Sequence, residues 1–259
     1  MECANPVATP LHPNVKIGPN LEGNEGSRSN SFAKLLGELQ FLTNATRPDI
    51  AHTINRLAAY TTNPSLQHTG ALKRVLRYLS GTKSYKITYS TSPGSTANPN
   101  IFSSYVDAAF ANQDNCKLTS RYVFMAAGGA IMWHSKKQTM VALSSTEAKY
   151  IALAEATCEA CWLRNLYNEL GYPQKQPTLV RGDNNGSIAM AKNPQFHQRS
   201  KHIAIRWHLI HDLIKDDILN IEECRDPEQT ADILTKPLTC FKHHKHITEM
   251  GMALTWRGV

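Results

Sequence analysis

The sequence predicts an α/β protein, a mixed sheet flanked by helices and preceded by a small helical segment. Three observations predict it. Residues 31–82 carry apolar stripes at helical spacing. The stretch "TSPGSTANPN", residues 91–100, is a Pro/Gly/Ser/Asn-rich break. Beyond it, strand-like runs come first and then alternate with helical patterns, the order of a mixed sheet covered by helices. The organisation expected is residues 1–95 as a loosely ordered lead-in and helical segment, 96–240 as the sheet domain, and 241–259 as a C-terminal tail.

Residues 1–30 are rich in Pro, Asn, Gly and Ser and lack periodicity, which reads as extended chain. "SFAKLLGELQFLTN" then places Phe32, Leu35, Leu36, Leu39 and Leu42 on one helical face. "RPDIAHTINRLAAYTT" starts with Pro48 near a first helical position and stripes Ile50, Ile54 and Leu57. "PSLQHTGALKRVLRYLSGT" aligns Leu72, Val75, Leu76 and Leu79 and stops at Gly81. After the break, "IFSSYVDAAFA", "TSRYVFMAAGGAIMWHSKK" and "TMVAL" read as strands, with Gly128-Gly129 as a hairpin signal. "SSTEAKYIALAEATCEACWLRNLYNELG" is a long helix ending at Gly171. "PTLVRGDNN" is a short buried strand followed by the helix "GSIAMAK". "SKHIAIRWHLIHDLIKD" is a helix, "ILNIEEC" a strand and "EQTADILTK" a final helix before Pro237.

Composition excludes several classes. No run approaches the roughly 18 apolar residues of a membrane span, and the N-terminus has no basic start followed by an apolar stretch. An intracellular chain with no membrane partner is expected. The cysteines at 3, 116, 158, 161, 224 and 240 show no framework spacing, so reduced thiols are expected. Cys158 and Cys161 form a C-x-x-C pair, but on a helix where Ala156, Cys158, Trp162 and Leu163 suit core packing. "HHKH" at 243–246 reads as a solvated basic tail. The charge is uneven. Residues 1–95 hold ten Lys/Arg against five Asp/Glu, a balance of +5 in a chain of net charge +7. No acid lies between Asp49 and Asp107, whereas Lys73, Arg74 and Arg77 line one helix, a face that attracts phosphate backbones.

Four acids sit where chemistry could occur. Asp107 falls near the end of an apolar strand, and Asp183 ends "TLVRGD" where a buried strand meets a loop. Such strand ends line the functional crevice of open α/β sheets. Glu147 lies in the first turn of the long helix and Asp232 in the last helix. Each has a plainer reading. Glu147 with Ser144 could be a capping-box residue, Asp183 a turn residue before Asn184, and Asp232 a first-turn acid. Asp107 is harder to dismiss, because a charge among Tyr105, Val106, Ala108 and Phe110 is costly without a partner or metal.

The segments "VALSSTEAKYIALAEATCEACWLRNLYNELG", "GDNNGSIAMAKNP", "HQRSKHIAIRWHLI" and "EQTADILTKPL" closely resemble the ribonuclease H domain of copia-type LTR retrotransposon polyproteins, over about residues 101–240. Upstream, "NPVATPL", "LLGELQFLTNATRPDIAHTINRLAAY" and "ALKRVLRYLSGT" resemble the thumb and connection end of the reverse transcriptase in those polyproteins. The resemblance implies a five-stranded ribonuclease H-like sheet, three strands antiparallel and two parallel. It implies that Asp107, Glu147, Asp183 and Asp232 hold two Mg²⁺, with Mn²⁺ as a substitute. Asp107 would bridge the ions, Asp232 would help hold the one that activates water, and Glu147 and Asp183 would hold the other. The substrate implied is an RNA–DNA hybrid, cut on its RNA strand to leave 3′-hydroxyl and 5′-phosphate ends. Lys73, Arg74 and Arg77 would grip its backbone, and the polymerase part of a reverse transcriptase is the implied partner.

Tyr105-Val106-Asp107 also matches the front of the Tyr-Val-Asp-Asp turn of reverse transcriptases, but Ala108 stands where the second aspartate would be. The resemblance makes it the first ribonuclease H strand instead. The polymerase turn is expected upstream of Met1, so this chain alone should not polymerise DNA. Three departures from the family stand out. Arg121 occupies a position where the family reads Gly, Ala109 replaces the second acid of "DAD", and Ala204 replaces the Asp of "HIDIR". The loop "CRDPEQT" also lacks the histidine of cellular ribonucleases H, so His197 and His202 read as structural residues or duplex contacts. Two readings compete: an active hybrid endonuclease, or a catalytically silent nucleic-acid-binding remnant. A transposase or integrase on the same fold would need the order Asp-Asp-Glu, which this chain lacks.

Overall fold

The computed structural model describes residues 5–21, 29–90, 100–109, 119–138, 142, 144–193 and 204–253. Along the chain run α1 (Ser29–Ala45), a 3₁₀ turn (Pro48–Ile50), α2 (Ala51–Ala58), α3 (Leu66–Gly81) and β1 (Lys86–Ile87). Then come β2 (Phe102–Ala109), β3 (Thr119–Ala126), β4 (Gly129–Lys137), α4 (Ser145–Glu169), β5 (Thr178–Gly182) and α5 (Asn185–Lys192). The chain continues with α6 (Ala204–Lys215), β6 (Leu219–Glu223), a 3₁₀ turn (Asp226–Glu228), α7 (Asp232–Thr235), α8 (Cys240–Glu249) and β7 (Met252–Ala253). Two compact units result. Tyr89–Ala231 form a sheet unit, and Met1–Thr88 with Asp232–Val259 form a helical unit. The sequence reading puts the boundaries at 95 and 240; in the structure the chain leaves the sheet unit at 231, and residues 232–259 group with the first 88. Among the described residues no helix is long and apolar enough to cross a membrane.

The sheet unit is ribonuclease H-like. Its strand order is β4-β3-β2-β5-β6, with β2, β3 and β4 antiparallel and β2, β5 and β6 parallel. That is the arrangement the resemblance implied. Between β3 and β4 the expected hairpin turns on Ala127 and Gly128, at φ 50° and 75°. Two left-handed residues in a row match the twist of the strands they join. A side chain at 128 would also meet Ser90 O at 2.9 Å, so glycine is required there. Residues 139–141 and 143 of the expected strand "TMVAL" lie outside the described residues.

The long helix α4 starts at the Ser144 cap, whose Oγ accepts from Glu147 N (3.1 Å). It ends before Gly171 at φ 85°. Its buried face, including Ala148, Ile151, Ala152 and Leu163, joins Phe102, Val106, Phe124, Val180 and Ile221 in one core. One detail differs from expectation: Cys158 is exposed and Trp162 half-exposed. On a helix, 158 and 162 lie one turn apart on one face, and the apolar stripe of α4 passes beside that face.

In the helical unit, Phe32, Leu36, Ile54, Leu57 and Val75 of the first three helices form a second core with Ile50 of the 3₁₀ turn. Residues 5–21 are not a loose lead-in. Leu11 and Ile17 are buried in this core, and three arginines hold the segment's backbone. Arg56 donates to Ile17 O (2.9 Å), Arg74 to Thr9 O (3.1 Å) and Arg77 to Asn5 O (2.7 Å). At Gly81 the approach is so close that a Cβ would stand 2.8 Å from that of Pro6.

Beneath lies a buried charge network. Arg47 donates to both Asp49 oxygens (2.9 and 2.7 Å), to Thr82 O (3.1 Å) and to Thr82 Oγ1 (2.7 Å); Tyr78 Oη donates to Asp49 Oδ2 (2.7 Å). "HHKH" is not a solvated tail either. It lies on α8, where His243 and His246 are 3% and 2% exposed. His243 meets the Tyr78 ring edge-on at 5.5 Å, and its Nε2 donates to Asp49 O (3.4 Å). The strand pairing Lys86↔Ala253 and Ile87↔Met252 closes the unit.

The network makes two outcomes testable. Replacing Asp49 by Ala strands Arg47 without its carboxylate and should cost about 3–5 kcal/mol in urea unfolding. Burial pushes His243 down to about 4, more strongly than Asp49 pulls it up. Between that value and the ordinary 6.5 the unfolded chain binds the extra proton. Stability should therefore be full above pH 6.5 and decline as pH falls toward 4, by roughly 3 kcal/mol at most, in urea titrations across that range. His243→Gln should flatten that decline.

Candidate active site

Strand register brings two acids together. In the parallel pair β2–β5, Val106 is opposite Gly182, so the next residues, Asp107 near the end of β2 and Asp183 just past β5, follow side by side at the same end. Neighbouring strands are roughly 4.8 Å apart, which sets how close the two carboxylates must be. Asp107 is buried, 7% exposed, and its Oδ1 accepts from Ala108 N (2.7 Å).

Both acids face one cation, Lys149 of α4. Its Nζ lies 2.5 Å from Asp183 Oδ2 and 3.7 Å from Asp107 Oδ1. A second cation stands across the sheet. Arg121 is directly opposite Asp107 in the β2–β3 register and is 7% exposed. Opposed residues share a face of the sheet, and the Arg121 Nε donates to Ser135 Oγ (3.1 Å). That bond reaches β4, the strand on the other side of β3 from Asp107.

Glu147 is 8% exposed in the first turn of α4. It is two residues from Lys149, and side chains so spaced leave a helix about 200° apart. Among the described residues, no three His, Cys, Asp or Glu side chains gather into a metal-holding group. The structure therefore joins Asp107 and Asp183 and does not bring Glu147 in as a third. Asp232 opens α7 in the other unit. It is 2% exposed, and its Oδ2 lies 2.7 Å from Lys236 Nζ. His197 and His202 lie outside the described residues, as do the side chains of Ala109 and Ala204.

The acids rest on supports that sequence reasoning missed. Buried Gln138 donates from Nε2 to Ser120 Oγ (2.8 Å) and Ala148 O (3.0 Å), fixing the start of α4 to β3. Gln229 donates to Val106 O (3.1 Å), holding the loop after β6 against β2 beside Asp107. Asn184 caps α5 through Ser187 N (2.7 Å). At Gly186 a Cβ would come within 3.0 Å of Thr146 Cγ2, so the starts of α4 and α5 meet there. Lys149 was legible as a charge in "STEAK", though nothing in the run shows which way it points.

The expected phosphate-gripping residues divide. Lys73 is exposed, whereas Arg74 and Arg77 are part-buried against the lead-in. Burial, and then the charge of Arg77, lowers Arg74 from its ordinary value.

No protein-family model matches the chain. It is 37% identical over 242 residues to the retrovirus-related Pol polyprotein from transposon TNT 1-94 of Nicotiana tabacum, covering 91% of this chain and 18% of that protein. It is 35% identical over 253 residues to that from transposon RE1 of Arabidopsis thaliana, covering 97% and 17%. The chain therefore spans less than a fifth of these relatives' length. A 133-residue stretch is 41% identical to the secreted RxLR effector protein 161 of Plasmopara viticola, covering 51% of this chain and 90% of that protein. Among solved structures, ribonuclease H1 from Halobacterium salinarum is 16% identical, with a TM-score of 0.36 and coverage of 51% and 92%.

Replacing Gln138 by Leu should leave Ser120 Oγ and Ala148 O without this donor. A loss of about 1–3 kcal/mol is expected by thermal or urea unfolding.

Proposed function

The chain belongs with the copia-type, retrovirus-related Pol polyproteins, and from that premise we propose that its sheet unit is a ribonuclease H, a metal-dependent hydrolase of the RNA strand in RNA–DNA hybrids. The observation that carries the reading is the convergence of Asp107 and Asp183 on a single cation at the carboxyl ends of β2 and β5. Ligand crevices of open α/β sheets lie at such ends. The donors suit Mg²⁺ or Mn²⁺. Both are hard carboxylates, and Mg²⁺ is commonly held by one or two carboxylates together with substrate phosphates. Lys149 stands in for that ion.

In this reading Asp107 and Asp183 hold the ion, and Glu147 and Asp232 enter through the family resemblance alone. A bound divalent ion would neutralise phosphate charge and lower the pKa of a coordinated water. The chain's own work is positional. The register of β2 and β5 fixes the carboxylates side by side, Ala108 N orients Asp107, and Gln138 and Gln229 hold the flanking segments. Lys73 remains the exposed phosphate contact on α3. The polymerase part of a reverse transcriptase is the proposed partner.

A second reading, a nucleic-acid-binding remnant without catalysis, draws support from the Lys149 ammonium already on Asp107 and Asp183. The deciding assay is cleavage of an end-labelled RNA–DNA hybrid with Mg²⁺, with duplex RNA and duplex DNA as controls. Cutting of the RNA strand alone is expected, falling by about a hundredfold or more in Asp107→Asn, since ion-derived stabilisation is worth several kcal/mol. Binding of the hybrid without cutting at any Mg²⁺ or Mn²⁺ concentration would establish the remnant instead.

A further inference from the structure

We propose that Lys149 is a resident counter-cation of the Asp107–Asp183 pair and that a divalent ion binds only by displacing it. This rests on the metal-dependent reading above and adds a regulatory element to it: the chain carries its own competitor for the metal.

The argument begins with charge. Two carboxylates at adjacent strand ends, one of them buried, repel each other unless a cation lies between them. Lys149 meets both, at 2.5 and 3.7 Å. A hard divalent cation needs those same oxygens as ligands, so ammonium and metal exclude each other there.

Lys149 and the basic residue opposite Asp107 on β3 are held differently. Arg121 is buried in a strand, with its Nε bound to Ser135 Oγ. Lys149 reaches the acids from a helix on a flexible four-carbon stem and is 22% exposed. A compact ammonium on such a stem can swing into water while its backbone stays in place. Lys149 is therefore the exchangeable charge of the site. The helix frame allows this, because α4 is capped by Ser144 and tied to β3 through Gln138, so losing the lysine contact does not free the helix.

Competition has measurable results. The metal-free protein is stabilised by Lys149, and metal affinity is reduced by the cost of expelling it. The test is isothermal titration of MgCl₂ at fixed ionic strength into the full chain, paired with thermal melting with and without Mg²⁺. Removing one like charge about 4 Å from the ion should tighten binding in Lys149→Gln by about tenfold. Its metal-free melting temperature should fall, and its gain on adding Mg²⁺ should exceed that of the unaltered chain. Lys149→Arg keeps the charge and should bind within about twofold of the unaltered chain.

Equal affinity in Lys149→Gln and the unaltered chain, with binding lost in Asp107→Asn, would overturn displacement while leaving the hydrolase reading intact. Absence of Mg²⁺ binding in every variant, with no hybrid cleavage, would overturn both.

Discussion

Two negative charges at the ends of neighbouring strands cannot be brought together without a positive one, and the sheet unit is organised around that constraint. The parallel register of β2 and β5 places Asp107 and Asp183 side by side. Coulomb repulsion at that spacing is unfavourable even with the screening of a protein surface. The helix that crosses the sheet supplies the positive charge, as Lys149. The supports around these charges, Ser144, Gln138 and Gln229, fix the start of α4 and the loop after β6 beside the two strands.

The helical unit solves a related problem differently. Its ionic pair, Arg47 with Asp49, is sealed from solvent and satisfied on almost every side by Thr82, Tyr78 and backbone. A buried pair of this kind contributes less to net stability than apolar packing would, because desolvation offsets the attraction. What it fixes is geometry: Arg47, Asp49, Tyr78 and Thr82 agree on one arrangement of α3 relative to the turn before α2. Arg56 of α2 and Arg74 and Arg77 of α3 extend the same logic, with carbonyls of residues 5–17 as acceptors.

Much of this was legible in the sequence, and the reason is periodicity. The stripes in "SFAKLLGELQFLTN" and "ALKRVLRYL" became α1 and α3, Ser144 and Gly171 bound α4 as cap signals, and the glycines at 128–129 marked the hairpin. Asp183 could be placed at a strand end because the apolar run stops there, and Asp107 stood out as a charge inside an apolar run. Partnership was not legible. Whether an arginine meets a phosphate or a carbonyl depends on chain 65 or more residues away, as for Arg74 with Thr9. Lys149 follows Glu147 by two positions, and pattern alone does not say which of them faces the sheet. Helix α8 was hidden because "HHKH" is polar by composition, while burial there is stabilised by Tyr78 and Asp49, some 165 and 194 residues earlier in the chain.

The strand pairing of 86–87 with 252–253 has a consequence for synthesis and breakdown. The helical unit is written in two pieces, with the sheet unit between them. Ribosomes deliver α1, α2 and α3 first, yet β7 and the histidine that packs on Tyr78 emerge only after every strand of the sheet. The nascent helical unit must wait with an open seam, whereas the sheet unit is contiguous and can close as soon as β6 appears. A protease that clips between β6 and α7 would remove the last piece of one unit and nothing from the other. The order in which the two units become durable is thus the reverse of the order in which their first residues are made.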